Sequence, residues 1–319
     1  MSYSGHEQAA REWRSALSSP RMHHAWLLTG RRGIGKMGFA LEAARELVGI
    51  TSELQTENHP DILVLSHLPS SADEEKKREQ GKPYQKRRNI TIDQVRAVQQ
   101  RLVTRPTLGS HRAIIIDPVD DLERNASNAL LKSLEEPPAG TFFLLISHNP
   151  GRLLPTIRSR CRTLRFSPLG AEQIDSVLRQ NAPQADVASR RAAITASSGS
   201  VGAALDFVEL DLGRIHLLME EIAREGDRDF ARRGALADVI GARPDRERQM
   251  AAMELARSVV VGTMESTRHD RIPLLTETYA RINRLAAQAP VFNFDAGLLV
   301  MQIGTLLASL AVPRETPHG

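Results

Sequence analysis

The stretch Gly30-Arg31-Arg32-Gly33-Ile34-Gly35-Lys36-Met37 constrains this chain more than any other. Its spacing, G-x-x-x-x-G-K, is that of a phosphate-binding loop. In such a loop backbone N–H groups wrap anionic oxygens and the lysine adds a point charge. The loop works only between a strand and a helix, so it calls for an α/β core. The apolar run Ala25-Trp26-Leu27-Leu28 before it and the helical stretch 38–48 after it supply that setting. The last position breaks the pattern. Where a serine or threonine hydroxyl would hold Mg²⁺, Met37 offers a thioether, a poor ligand for a hard cation.

The same alternation continues to residue 168. Residues 62–65, 113–116, 142–146 and 163–166 read as strands. Thr91-Ile92-Asp93-Gln94 has capping-box spacing, with Val95, Val98 and Leu102 following on one helical face. Residues 126–134 form a helix stopped by Pro137-Pro138. Strand and helix in this rhythm imply a parallel sheet covered on both faces. After Pro168 strand signals fade and helical periodicity takes over. The reading is three domains: a P-loop core over 1–168, a small helical domain over 169–208, and an all-α domain over 209–319 with breaks near Gly226, Gly241–Pro244, Pro273 and Pro290. The charge-dense stretch 70–89 has almost nothing apolar and reads as a solvated, partly disordered insertion between a strand and a helix. DNA contact by its basic half, Lys82 to Arg88, is a second reading.

The strand at 113–116 ends in Asp117, where an aspartate beneath a P-loop orients Mg²⁺. Pro118 follows, and proline cannot activate water. Asp120 or Asp121 could substitute but lie farther along the loop; their spacing fits caps for a helix starting near Leu122. Ser147 and His148 end the fourth strand. Arg160, in Arg158-Ser159-Arg160-Cys161, is either a surface ion-pair partner or a group reaching a neighbour's phosphate.

Composition narrows the function classes. The chain has 319 residues, a formal charge of +4 and a single cysteine, Cys161. One thiol forms no internal disulfide and no C-x-x-C zinc site, so no zinc is expected. The mild basicity permits contact with nucleic acid without arguing for it. The N-terminus lacks a basic region followed by an apolar stretch, which fits a reducing, cytoplasmic setting. The apolar segment 296–312 is short for a membrane span and is interrupted by Gln302, Thr305 and Ser309, so a buried helix is expected and no membrane partner.

Taken in order, the P-loop, the D-x-x-D strand end, Asn128-Ala129-Leu130-Leu131-Lys132-Ser133-Leu134-Glu135-Glu136-Pro137-Pro138 and Ser159-Arg160-Cys161 resemble the clamp-loader branch of the AAA+ ATPases. Within that branch the chain is similar to the delta-prime family of bacterial DNA polymerase III subunits. The resemblance covers residues 20–168 closely and reaches the small helical domain through Gly199-Ser200-Val201-Gly202. It implies an AAA+ core, a helical lid and a C-terminal collar in a hetero-oligomeric ring.

It also implies a passive subunit beside gamma or tau ATPases and delta, acting on a sliding clamp and on the backbone of primer-template DNA in replication. Arg160 would be an arginine finger given in trans. Gly30, Gly33, Gly35, Lys36, Met37 and Asp117 would form a degenerate nucleotide site, in which residual ATP or ADP binding is left open. Gly202 falls where active relatives carry a lid arginine that senses the γ-phosphate, and Ser147 and His148 fall near a polar sensor. Relatives often carry a four-cysteine zinc module after the first helix. Residues 51–58 leave it no room. Two rivals stand: a gamma-like ATPase using Lys36 and Asp117 with an unusual base, and an adaptor in which Arg160 is idle.

Overall fold

A computed structural model describes residues 5–50, 59–82, 84–241, 244, 246–265, 269–288 and 295–311. Residues 51–58 and Pro290 lie outside the described residues. Contacts divide the chain after Pro168 into two compact units.

In the first unit the elements run α1 (Glu7–Leu17), β1 (Ala25–Thr29), α2 (Lys36–Val48), β2 (Ile62–Leu65), α3 (Ala72–Glu79), α4 (Ile92–Leu102), β3 (Arg112–Ile116), α5 (Arg124–Glu135), β4 (Thr141–Ser147), α6 (Pro155–Arg158) and β5 (Arg162–Arg165). The strands pair in the order β2-β3-β4-β1-β5, and every pairing is parallel. β1 and β3 are buried along their whole length, which is why they read as unbroken apolar runs rather than as alternation. Successive side chains still leave on opposite faces. Trp26, Leu28 and Ile115 pack with Trp13 of α1 and Phe39 of α2. Leu27, Ile114 and Ile116 pack with Val95 of α4 and Leu130 of α5.

Helix α1 was not anticipated from the sequence. Its buried side, Ala9, Ala10, Trp13 and Ala16, has helical spacing, but three of the four are alanines and give little contrast. Trp13 meets Trp26 edge to face at 5.4 Å, and its Nε1–H donates to Glu46 Oε2 at 3.1 Å.

The charged stretch 70–89 departs from expectation as well. Part of it is ordered as helix α3. Ser71 caps it by accepting from Glu74 N at 3.3 Å, acids fill its first turn and bases its last. Lys77 pairs with Glu74 at 2.6 Å and Arg78 with Glu75. The ends of the insertion are then closed by backbone bonds, Ser70 N to Gln85 O at 2.8 Å and Arg87 N to Leu68 O at 2.6 Å. Charge patterning replaces an apolar face as the source of order.

One buried ion pair braces the opposite end of β3. Arg112 Nη2 lies 3.4 Å from Asp61 Oδ1, and its guanidinium donates to the carbonyls of Arg101, Thr104 and Arg105. Asp61 accepts from the N–H groups of Thr107 and Leu108 at 2.7 and 2.8 Å. Burial alone would raise the Asp61 pKa, but those N–H groups and Arg112 hold it below the ordinary carboxylate value.

The second unit is helical: α7 (Ala171–Asn181), α8 (Val187–Ser197), α9 (Val201–Glu209), α10 (Gly213–Glu225), α11 (Ala231–Ile240), α12 (Arg246–Glu265), α13 (Ile272–Gln288) and α14 (Ala296–Ala308). Gly226 and Gly241 end α10 and α11, as their backbone freedom suggests, whereas Pro273 sits in the first turn of α13. The apolar segment at the end of the chain is a buried helix: Leu299, Val300, Ile303, Leu306 and Leu307 of α14 belong to the apolar cluster of this unit. No described helix is long and apolar enough to cross a membrane.

Candidate functional site

Strand order builds the site. Because β4 lies between β3 and β1, the glycine loop after β1, Asp117 after β3 and Ser147–His148 at the end of β4 emerge side by side. This is the C-terminal edge of a parallel sheet, where ligands bind in such folds.

The loop has the backbone its glycines permit. Gly30, Gly33 and Gly35 all have positive φ, with Gly35 left-handed at +97° as the cap of α2. A side chain at Gly30 would also sit 2.6 Å from the Phe166 carbonyl, so the loop is pressed against the end of β5. Lys36 is 3% exposed. Its ammonium donates to the carbonyls of Gly30 and Arg31 at 2.6 and 2.5 Å, which leaves one of its three hydrogens for a ligand. Burial lowers its pKa to about 8 against the pull of Asp117 and Asp120. Met37 is half-buried and packs against the apolar cluster under α1 and α2.

A residue that sequence reading missed completes the loop. His6, just before α1, sends its Nε2–H to the Ile34 carbonyl at 2.5 Å and meets Phe166 edge to face at 4.8 Å. It is separated from Ile34 by 28 positions, and no motif marks it.

The acidic side differs from expectation at two residues. Asp120 and Asp121 do not cap the next helix; they form a 3₁₀ turn with Val119, and α5 begins at Arg124 after Glu123. Asp120 Oδ1 accepts from Ser147 Oγ at 2.7 Å, while Oδ2 accepts from the backbone N–H groups of His148 and Asn149 at 2.5 and 3.2 Å. Three strong donors pull it to the end of β4 and away from the helix. Asp121 faces His67 Nε2 at 3.2 Å. Asp117 stands 3.8 Å from His148 Nε2. Burial raises the Asp117 pKa, opposed by Lys36, Arg32, His67 and Lys86. Burial, Lys36 and Arg32 push His148 down to about 4, so its ring is neutral at pH 7. Ser147 is fully buried.

Arg160 lies apart from this edge in its contacts. It follows α6, and its Nη1 donates to the Thr156 carbonyl at 2.9 Å, while Nη2 pairs with Glu135 Oε1 at 2.7 Å. The Arg160 side chain remains one-third exposed. Ser159 closes the same turn by donating to Thr156 O at 3.1 Å. Cys161 packs against the apolar cluster of α4 and α5, and burial pushes its thiol up to about 12, so it is inert as a nucleophile. Gly202 is in the first turn of α9, in the second unit. Among the described residues no cluster of His, Cys, Asp and Glu could hold a metal ion.

A protein-family model described as "DNA polymerase III, delta subunit" matches residues 5–170. The chain belongs to that family. It is thus a member of the clamp-loader proteins of DNA polymerase III. It is 38% identical over 151 residues to the DNA polymerase III subunit delta-prime of Pseudomonas aeruginosa, covering 43% of this chain and 41% of that one. It is 31% identical over 177 residues to the delta-prime subunit of Bacillus subtilis, covering 51% and 48%. The chain therefore spans about half or less of the length of these relatives. A tau subunit from Escherichia coli is 30% identical over 183 residues, covering 53% and 26%. Among solved structures, a gamma-subunit-related protein of Thermotoga maritima shares the fold with a TM-score of 0.53 at 16% identity, covering 95% of this chain and 99% of that one.

Proposed function

We propose that this clamp-loader subunit is non-catalytic at its own loop and supplies Arg160 to the ATP site of a neighbouring gamma or tau subunit. The observation that carries this reading is a contrast between the two halves of the machinery. The position for a metal-binding hydroxyl holds Met37, half-buried against the apolar cluster, and Pro118 stands where a base should follow Asp117. Arg160, by contrast, is held from two sides yet its side chain stays one-third exposed. An arginine inserted in trans stabilises transition-state charge and raises turnover about 10³–10⁵-fold, which corresponds to roughly 4–7 kcal/mol.

In this reading the chain acts in the cytoplasm, in a ring with gamma or tau and delta. It helps open a sliding clamp and place it on primed DNA, touching phosphates rather than bases. The deciding experiment is DNA- and clamp-stimulated ATPase in a reconstituted loader. Arg160→Ala should abolish most turnover while Lys36→Ala leaves it intact. The likeness to a tau subunit keeps one other reading in play, a gamma-like ATPase, and the reverse pattern would establish it.

A further inference from the structure

The insertion at 70–89 carries its charge unevenly. Seven bases and four acids fall in these twenty residues, so they hold three of the chain's four net positive charges. All four acids lie in α3, among Lys76, Lys77 and Arg78. From Gln80 to Ile92 the chain carries Lys82, Lys86, Arg87 and Arg88 and no acid.

Helix α3 keeps its acids occupied. Asp73 lies 3.8 Å from Lys76, and Glu75 pairs with Arg78. Glu74 accepts from Lys77 Nζ and from the backbone N–H of Gln85, both at 2.6 Å. It thereby pins the backbone of the returning arm and leaves the arm's cations alone. Among the described residues no carboxylate pairs with Lys82, Lys86 or Arg87, and all three side chains are exposed.

The arm is ordered all the same. Beyond α3 the chain turns at Gly81, in left-handed backbone at φ +67°. Pro69 and Lys86 form an antiparallel bridge, flanked by the bonds Ser70 N to Gln85 O and Arg87 N to Leu68 O. Farther on, Ile90 N donates to Asp121 O at 2.9 Å and Ile90 O accepts from Glu123 N at 3.1 Å. The Asp121 carboxylate itself turns to His67. Fixing a residue's backbone costs about 1–2 kcal/mol, and holding Lys86, Arg87 and Arg88 side by side adds like-charge repulsion. Tyr84 is half-buried within the arm, with the Lys86 ammonium 5.6 Å from its ring centre. A fixed strip of one sign with an aromatic ring in it has the chemistry that tracks a phosphate backbone.

We propose that residues 82–88 form a nucleic-acid-binding arm, in which Lys82, Lys86, Arg87 and Arg88 contact phosphates without reading bases, and that α3 is the brace that presents it. The inference rests on the proposed role on primed DNA for its ligand. It is carried by the arm and is tested without a loader.

The full chain is titrated by fluorescence anisotropy against two labelled probes, a primed duplex and a single strand of equal length, at about 50–200 mM salt. Lys82→Gln, Lys86→Gln and Arg87→Gln together should weaken binding about tenfold or more at the low-salt end. For the duplex, log K should also fall less steeply with log salt, the slope shrinking by about 2–3. A matched variant, Arg214→Gln with Arg281→Gln and Arg284→Gln, removes the same charge from the second unit. It should bind within about twofold of the unaltered chain. All six side chains are exposed, so neither variant threatens the fold. Whichever probe binds tighter supports the arm and identifies the form of DNA it grips. No binding of either probe at low salt, an arm variant that binds like the unaltered chain, or an equal loss in the matched variant would overturn the proposal. Each of those results leaves the trans role of Arg160 standing, because that role fails only on the turnover of the loader.

Discussion

Arg160 Nη2 and Glu135 Oε1 are 2.7 Å apart, so the arginine after α6 is held by the last residue of α5. The pair is partly exposed, and its contribution to stability is small, about 0–1 kcal/mol. Its consequence is direction. With Nη2 on Glu135 and Nη1 on the Thr156 carbonyl, the guanidinium plane is fixed while the side chain stays partly exposed.

Glu135 should therefore act only through Arg160. In a reconstituted loader Glu135→Gln is expected to lower ATP turnover several-fold with little change in KM. In an Arg160→Ala background the same substitution should do nothing. A coupling of about 0.5–3 kcal/mol in that double-mutant cycle is the expected range. Equal effects in both backgrounds would show that Glu135 acts elsewhere.

The Asp61–Arg112 pair makes a prediction about stability. Both side chains are buried, at 0% and 2% exposure, and Asp61 also anchors the Thr107 and Leu108 N–H groups. Asp61→Ala would leave a buried guanidinium without its counter-charge and should destabilise by about 3–5 kcal/mol in urea unfolding. Because the folded pKa of Asp61 lies below its ordinary value, its stabilisation is present above the unfolded pKa and is lost as pH falls through the folded one. Asp61→Asn should accordingly flatten the acid limb of the stability curve below about pH 4.

His148 adds a second window. Its pKa falls from 6.5 to about 4 on folding, so between those values the unfolded chain binds the extra proton. Stability should drop as pH is lowered from 6.5 to 4, with a slope of at most about 1.4 kcal/mol per pH unit from this one group. His148→Gln keeps the backbone N–H that Asp120 uses and should remove that slope in thermal melts run across the range. A slope unchanged in the variant would assign the effect to other groups.

Any nucleotide that the degenerate loop retains should bind less well on the alkaline side. Lys36 titrates near 8 when the loop is empty, and a bound phosphate favours its charged form. Affinity for ADP in EDTA should hold steady below pH 7.5 and then weaken by up to about tenfold per pH unit above 8. Lys36→Arg, charged throughout, should lose that dependence.

The centre of the sheet was legible because β1, β3 and β4 are buried on both faces and need no partner to be recognised: Ala113 to Ile116 is apolar wherever it is placed. The loop was legible because glycine, lysine and spacing encode its geometry locally. What stayed hidden depends on strand order. Asp120 reads as a helix cap until β3 and β4 are known to be neighbours, which puts Ser147, 27 positions away, within 2.7 Å. His6 reads as an unremarkable N-terminal histidine until α1 is packed beside the loop. Helix α3 escaped for a different reason. It has no buried residue, so hydrophobic periodicity is silent, and only its Ser71 cap and i,i+3 charge pairs announce it.

On the proposed reading of a non-catalytic loop, the bonds to Asp120 also bear on whether hydrolysis could be built into it. Putting threonine at 37 and glutamate at 118 would restore the missing side chains one by one. The end of β4 would still be cinched to the loop after β3 by Ser147, His148 and Asn149, and Asp117 would still face an imidazole. On that reading two substitutions would supply side chains without opening space around them, so an engineered ATPase would need changes at Asp120 and His148 first.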